Sequence, residues 1–174
     1  MPAAVVASYS LLTRSAFDHS GMAEACAGYG VPLIATSPLA GGVLTGKYAE
    51  AADLADGSLP DPEAADTAAL AADDDSRLRK YQGFMARYDH PRSRAAVQAY
   101  AATAAKYGLT VAQLALGFCY TRPAVASTVV GATSALQLEK NLFALNCPVN
   151  ADLEGDLYEN LCDHRDPSRG VAEV

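Results

Sequence analysis

Two stretches of this chain carry residue types that could hold a phosphorylated ligand. The first is Ser37-Pro38-Leu39-Ala40-Gly41-Gly42-Val43-Leu44-Thr45-Gly46-Lys47-Tyr48; the second is Gly131-Ala132-Thr133-Ser134, followed by Gln137 and Asn141. Small residues let backbone N–H groups approach a phosphate closely, and a helix opening at Ser134 would turn the positive end of its dipole toward negative charge. Each stretch follows a strand-like apolar run, so together they read as two loops at one end of a parallel sheet, shaped for a phosphorylated cofactor. Taken alone, the glycines also fit a plain turn and Lys47 a solvated lysine. Together they would make only half an active site, the half that holds a cofactor.

The other reactive side chains are scattered. Cys26, Cys119, Cys147 and Cys162 form no CxxC pair and lack zinc-site spacing, so they read as reduced, buried or half-buried thiols. His19, His90 and His164 have no evident carboxylate or nucleophile partner and read as solvated or capping residues. Tyr9, beside a strand, reads as packing, and Arg14 and Arg87 read as salt-bridged surface residues. Asp73-Asp74-Asp75 lacks the sharp-turn glycine and terminal bidentate carboxylate of a hard-cation loop, so no metal is expected.

The elements that must position the two loops follow from local pattern. Val5–Ser8 reads as a short buried strand, then a loop runs through Arg14, then a helix spans Met22 to Tyr29 and ends at Gly30 in a left-handed cap. Val31–Thr36 reads as the second strand, with Pro32 at its start, where no ladder bond is lost. Residues 49–75 form an alanine and aspartate tract with too few large apolar side chains to repay its ordering, and read as an acidic loop insertion. A helix starts at Pro91 and stops at Gly108; a capping box at Thr110–Gln113 opens another, which Arg122-Pro123 ends. Ser127–Val130 reads as the third strand, Ser134–Gln137 as a second capping box opening a helix through Leu145, and Ala151 to Cys162 as a last amphipathic helix. This order calls for parallel strands with right-handed crossovers. Three such units leave open sheet edges and an uncovered inner face, which favours self-association or a complementing chain.

With 174 residues, 51% hydrophobic and 19% charged, the chain fits one globular domain. Its net charge of -7 opposes nucleic acid and anionic membranes as partners. No basic n-region opens the sequence and no apolar run reaches bilayer length, so cytoplasmic localisation is expected.

At several places the residues resemble the aldo-keto reductases, in the branch of the Tas-like reductases and potassium-channel β-subunits. The resemblance rests on Tyr9-Ser10-Leu11-Leu12-Thr13-Arg14, Thr36 to Tyr48, Phe84-Met85-Ala86-Arg87-Tyr88, Arg122 to Ser134, Gln137-Leu138 and Asn141-Leu142, and runs from about Val5 to Leu145. It implies a (β/α)8 TIM barrel of the α/β class, of which residues 1–174 would be the C-terminal part: the last three βα units, strands six to eight, plus a C-terminal helix. The sequence is then expected to be a truncated form of the complete reductase.

The same resemblance implies an NADP(H) cofactor. Ser37, Pro38, Leu39, Gly41 and Thr45 would lie along the pyrophosphate, Lys47 would face a phosphate, and Arg77 or Arg79 would match the arginine beyond the loop. Thr133, Gln137 and Asn141 would hold the adenosine 2′-phosphate and adenine. The family's catalytic Asp, Tyr, Lys and His sit on the first four units, and no position here matches them, so no catalytic residue is assigned. A complete barrel would reduce an aldehyde or ketone; this chain alone is expected to be inactive, since loss of positioned acid–base groups forfeits roughly 10²–10⁴ in rate. The alternative is a non-catalytic dinucleotide-binding or partner-complementing module. Three departures weaken the nicotinamide end, with Thr36 where the family has Tyr or Trp, Val6 where it has Gln and Ala7 where it has Asn; a fourth, Lys140, replaces a Glu beside the adenine.

Overall fold

The computed structural model describes residues 2–46, 87–88, 91–147 and 149–168. The 49–75 tract therefore lies outside the described residues, as do Lys47, Tyr48, Arg77, Arg79, His90 and Phe84 to Ala86.

Three parallel strands, β1 (Val5–Ser8), β2 (Leu33–Thr36) and β3 (Val125–Thr128), form one sheet in the order β1-β2-β3. Val5 to Ser8 pair in step with Leu33 to Thr36, whereas the β2–β3 ladder slips by one residue between Leu33 and Ile34. The helices are α1 (Ser15–Asp18), α2 (Met22–Tyr29), α3 (Pro91–Lys106), α4 (Val111–Tyr120), α5 (Ala135–Phe143) and α6 (Ala151–Asp163). Short 3-10 turns cover Ala40–Thr45 and Ala144–Asn146. No described helix is long and apolar enough to cross a membrane.

The sheet is covered on one face. Leu33 and Ala35 are fully buried, and their ladder neighbours Val5, Ala7 and Val125 pack with them against a core that includes Tyr100, Leu114, Phe118, Leu153 and Leu157. Residues of the opposite parity point the other way, and Val6 is 63% exposed. The expected uncovered face is therefore present among the described residues.

α4 is the central pillar. Thr110 accepts from the Gln113 N–H at 3.2 Å while the Gln113 side chain accepts from the Thr110 N–H at 2.9 Å, so both halves of the expected capping box form. Val111 and every residue from Leu114 to Cys119 are buried. The helix meets α3, α5, β3 and both 3-10 turns.

Several boundaries differ from the sequence reading. β3 begins and ends two residues earlier than Ser127–Val130, because Val125 is the residue that pairs with the buried Leu33; Val129 is 53% exposed. β2 starts at Leu33, since the Val31 N–H is spent on the Cys26 carbonyl (2.8 Å) where α2 ends at Gly30 with φ 64. A one-turn helix, α1, replaces part of the expected loop through Arg14, and the helix begun at Ala135 gives way to a 3-10 turn after Phe143.

Candidate cofactor site

Because β2 and β3 run parallel, the segments after Thr36 and Thr128 leave the sheet at the same end, and the Val129 N–H donates to the Ala35 carbonyl at 2.8 Å where they part. Ligand sites of parallel α/β proteins lie at such carboxyl ends.

The first loop is tightly wound. Ser37 (φ 54), Ala40 (φ 49), Gly41 (φ 69) and Gly42 (φ 99) all stand in the left-handed region, the first two at a cost of roughly 1–3 kcal/mol each for residues with a side chain. Internal bonds hold this path: Ala40 N–H to Ser37 O at 2.9 Å, Gly42 N–H to Leu39 O at 2.8 Å, and the Thr45 hydroxyl to Gly42 O at 2.7 Å. Ala40 and Leu44 are fully buried beneath it, and Leu39 packs against both the main core and the small cluster of Leu116, Ala144 and Cys147.

The second loop enters α5 through Ser134, whose hydroxyl accepts from the Gln137 N–H at 3.2 Å. The return half of the expected capping box is displaced by one residue. The Gln137 carbonyl oxygen accepts from the N–H and hydroxyl of Thr133, each at 3.0 Å, because Thr133 offers two donors where the Ser134 N–H offers one. That network fixes the orientation of the Gln137 amide. No acidic residue stands in the first turn of α5. Asn141 is 8% exposed, donates to the Gly131 carbonyl at 3.4 Å, and accepts from the Tyr120 hydroxyl at its own backbone carbonyl, also 3.4 Å.

Ser37, Pro38, Leu39, Gly41 and Thr45 thus lie on one loop, and Thr133, Gln137 and Asn141 on its neighbour. Both rest on α4, and the small cluster that receives Leu39 also receives Val130. Lys47 and Arg77 fall outside the described residues. Small residues, exposed hydroxyls at Thr133 and Ser134, an oriented amide and the absence of a carboxylate from these positions fit the phosphate and adenosine part of a dinucleotide. Among the described residues no group of His, Cys, Asp or Glu could hold a metal ion.

A third loop, after β1, lies at the same end of the sheet. Tyr9 is buried, as expected for packing, stacked on Phe118 with ring centroids 5.5 Å apart and edge-on to Phe17 at 5.8 Å. Its hydroxyl donates to Asp18, at 3.0 and 3.2 Å from the two oxygens. Burial, reinforced by that carboxylate, pushes the Tyr9 phenol far above its ordinary range, so it stays protonated at neutral pH. Burial also raises Asp18. Arg14 is not at the surface as expected: it is 6% exposed, with its guanidinium 5.1 Å from the Phe118 ring centre and bonded to the Leu157 carbonyl at 3.4 Å. The half-buried Arg87 lies 4.7 Å over the Tyr88 ring. Cys26, Cys119 and Cys147 are buried free thiols, with burial pushing Cys119 up to about 12, while Cys162 is exposed, not half-buried.

The comparisons agree with the pattern. The model of the aldo/keto reductase family matches residues 1–154. The chain is 36% identical over 149 residues to Protein tas of Escherichia coli (strain K12), covering 86% of this chain and 37% of that protein. It is 34% identical over 144 residues to an aldo-keto reductase of Babesia bovis, covering 81% of this chain and 44% of that protein. A probable voltage-gated potassium channel subunit beta of Oryza sativa subsp. japonica matches at 34% over 118 residues, 68% of this chain and 31% of the relative. The chain belongs to the aldo/keto reductase family. It spans less than half the length of these relatives.

Proposed function

We propose that this chain supplies the cofactor-holding C-terminal part, barrel strands six to eight, of an NADP(H)-dependent aldo-keto reductase. The observation that carries the reading is the convergence of the two small-residue loops on α4, at the ends of adjacent parallel strands, within the family match. Residues 1–174 form one unit of that barrel, with 49–75 inserted after the first loop. Ser37 to Thr45, with Lys47, line the pyrophosphate; Thr133 and the Gln137 amide serve the 2′-phosphate and adenine, with Arg77 adding charge. Asn141 holds the Gly131 end of its loop. When bound, the nicotinamide would supply hydride to an aldehyde or ketone carbon; another relative, of Escherichia coli O157:H7, is named L-glyceraldehyde 3-phosphate reductase. Val6 and Thr36 offer the nicotinamide neither an amide nor a ring, so affinity resides at the adenosine end. The four catalytic positions of the family lie outside this stretch, and the chain alone turns over no carbonyl.

The exposed Val6 and the uncovered sheet face favour a second feature, association with a chain that completes the sheet or with a second copy. Titration with NADPH, followed by cofactor fluorescence, tests the central reading, with NADH and Lys47→Ala as controls. Saturable binding that is stronger for NADPH and weakened by Lys47→Ala is expected. Absence of binding by a folded chain refutes it.

A further inference from the structure

The segment following α6 folds back over the loop that follows β1, and the contacts are all long-range. One oxygen of the Asp166 carboxylate accepts from the backbone N–H groups of Arg14 (3.3 Å) and Ser15 (3.2 Å), at the start of α1, which no side chain of its own N-terminal turn caps. The Ser168 hydroxyl lies 3.1 Å from the Thr13 hydroxyl and 3.1 Å from the Leu12 carbonyl, to which it donates. Asp166 and Ser168 are each 7% exposed, and Asp166 holds φ 40, an unfavourable conformation for a residue with a side chain that its surroundings must enforce. From the other side Tyr100 donates to the Leu11 carbonyl at 3.2 Å, and Ser10 and Thr13 close the loop on each other with two 3.1 Å backbone bonds. The Tyr9 N–H, at the start of the same loop, donates to the Thr36 carbonyl at 3.0 Å, immediately before the left-handed Ser37.

We propose that residues 164–168 are a positioning strap: Asp166 and Ser168 fix the β1 loop so that it holds the Thr36–Ser37 end of the cofactor site in place. The proposal rests on the dinucleotide reading for its ligand. The hydrogen bonds that Asp166 and Ser168 make to residues 12–15 all fall on the β1 loop, so the strap acts on the end of the site at β1 and β2.

Asp166→Ala and Ser168→Ala test this with two readouts. Amide hydrogen exchange across residues 9–18, measured without ligand, is expected to accelerate by on the order of tenfold in Asp166→Ala, the size of losing a helix N-cap, with α5 unchanged. NADPH affinity is expected to fall about three- to tenfold, while affinity for 2′,5′-ADP, a probe of the adenosine end alone, stays at the wild-type value. Asp166→Asn, which keeps an acceptor oxygen, should restore most of both. Unchanged exchange at residues 9–18 overturns the strap. Equal weakening of NADPH and 2′,5′-ADP overturns it too, since a general loss of stability would act on both. If the wild-type chain binds neither ligand, the dinucleotide reading and the strap's role toward it both fail, while exchange alone still decides whether the tie exists.

Discussion

Replacing Gly42 by alanine should destabilise the protein, whereas the same replacement at Gly155 should stabilise it. Gly42 stands at φ 99, ψ 0, between a left-handed Gly41 and the buried Val43, and its N–H is committed to the Leu39 carbonyl at 2.8 Å. An alanine there must either accept a conformation costing roughly 1–3 kcal/mol or break the turn that buries Leu44. Gly155 lies inside α6 at an ordinary helical angle, and a Cβ added to it meets nothing within 4 Å. There alanine removes backbone freedom from the unfolded chain and gains about 0.4–1 kcal/mol. The two variants should therefore differ by roughly 1.5–4 kcal/mol, although each adds one methyl group. Urea unfolding followed by far-ultraviolet circular dichroism reads this as a shift of midpoint at constant slope. Thermal midpoints should separate in the same order, by about 2–4 °C per kcal/mol for a chain of this size. A Gly42→Ala midpoint equal to wild type would show that the loop is not held in the left-handed path, and the phosphate-cradle geometry would fall with it.

Three further perturbations address the core and two of its bordering carboxylates. Phe118 is fully buried, stacked on Tyr9 and flanked by the Arg14 and Arg122 guanidiniums at 5.1 and 4.5 Å from its ring centre; Phe118→Ala should cost about 3–5 kcal/mol in urea unfolding, and a loss under 1 kcal/mol would contradict the packing. Asp18 and Asp156 should give opposite pH dependences. Burial raises Asp18, so its contribution to stability is present below its unfolded pKa and is lost as pH rises through its higher folded value. Hydrogen bonds from Lys106 and Tyr107 lower Asp156, so its contribution is present above its unfolded pKa and is lost as pH falls through its lower folded value. Urea unfolding between pH 3 and 7 should show Asp18→Asn gaining on wild type as pH rises and Asp156→Asn losing; the same slope for both would refute the assignment.

What was legible in the sequence is what short-range chemistry writes there. Thr110 with Gln113, Pro91 and Gly30 mark helix ends because the bonds they make or forgo lie within a few residues, and the helices begin or end at them. β3 was displaced because Val129-Val130 look like strand, while its register is set by a buried partner, Leu33, on another strand. α1 was invisible: the carboxylate at its start belongs to Asp166, about 150 residues away in sequence. Arg14 looked like a surface cation because Phe118 and the Leu157 carbonyl, which receive it, come from two distant helices. At the site, the small residues and the capped helix announced both loops. Which donors remain for a ligand was not written locally, since Thr45, Asn141 and the Gln137 carbonyl are engaged within their own loops.

The supports of the three loops divide the site into two mechanical halves. The loops after β2 and β3 both stand on α4, a helix buried almost throughout, and share the cluster of Leu116, Ala144 and Cys147 that receives Leu39 and Val130. A ligand spanning those two loops therefore meets a platform that cannot shift at one loop without repacking the other. The β1 loop answers to α3, α6 and the segment after α6, through Tyr100, Leu157, Asp166 and Ser168, and reaches the platform through the Tyr9 backbone bond to Thr36 and the Tyr9–Phe118 stack. The adenosine and pyrophosphate parts of a dinucleotide would thus sit on the rigid half. Were a dinucleotide bound as proposed, its nicotinamide end would depend on a loop whose conformation is set by residues 164–168, so changes after Asp163 should alter how that end is held while leaving the anchor unmoved.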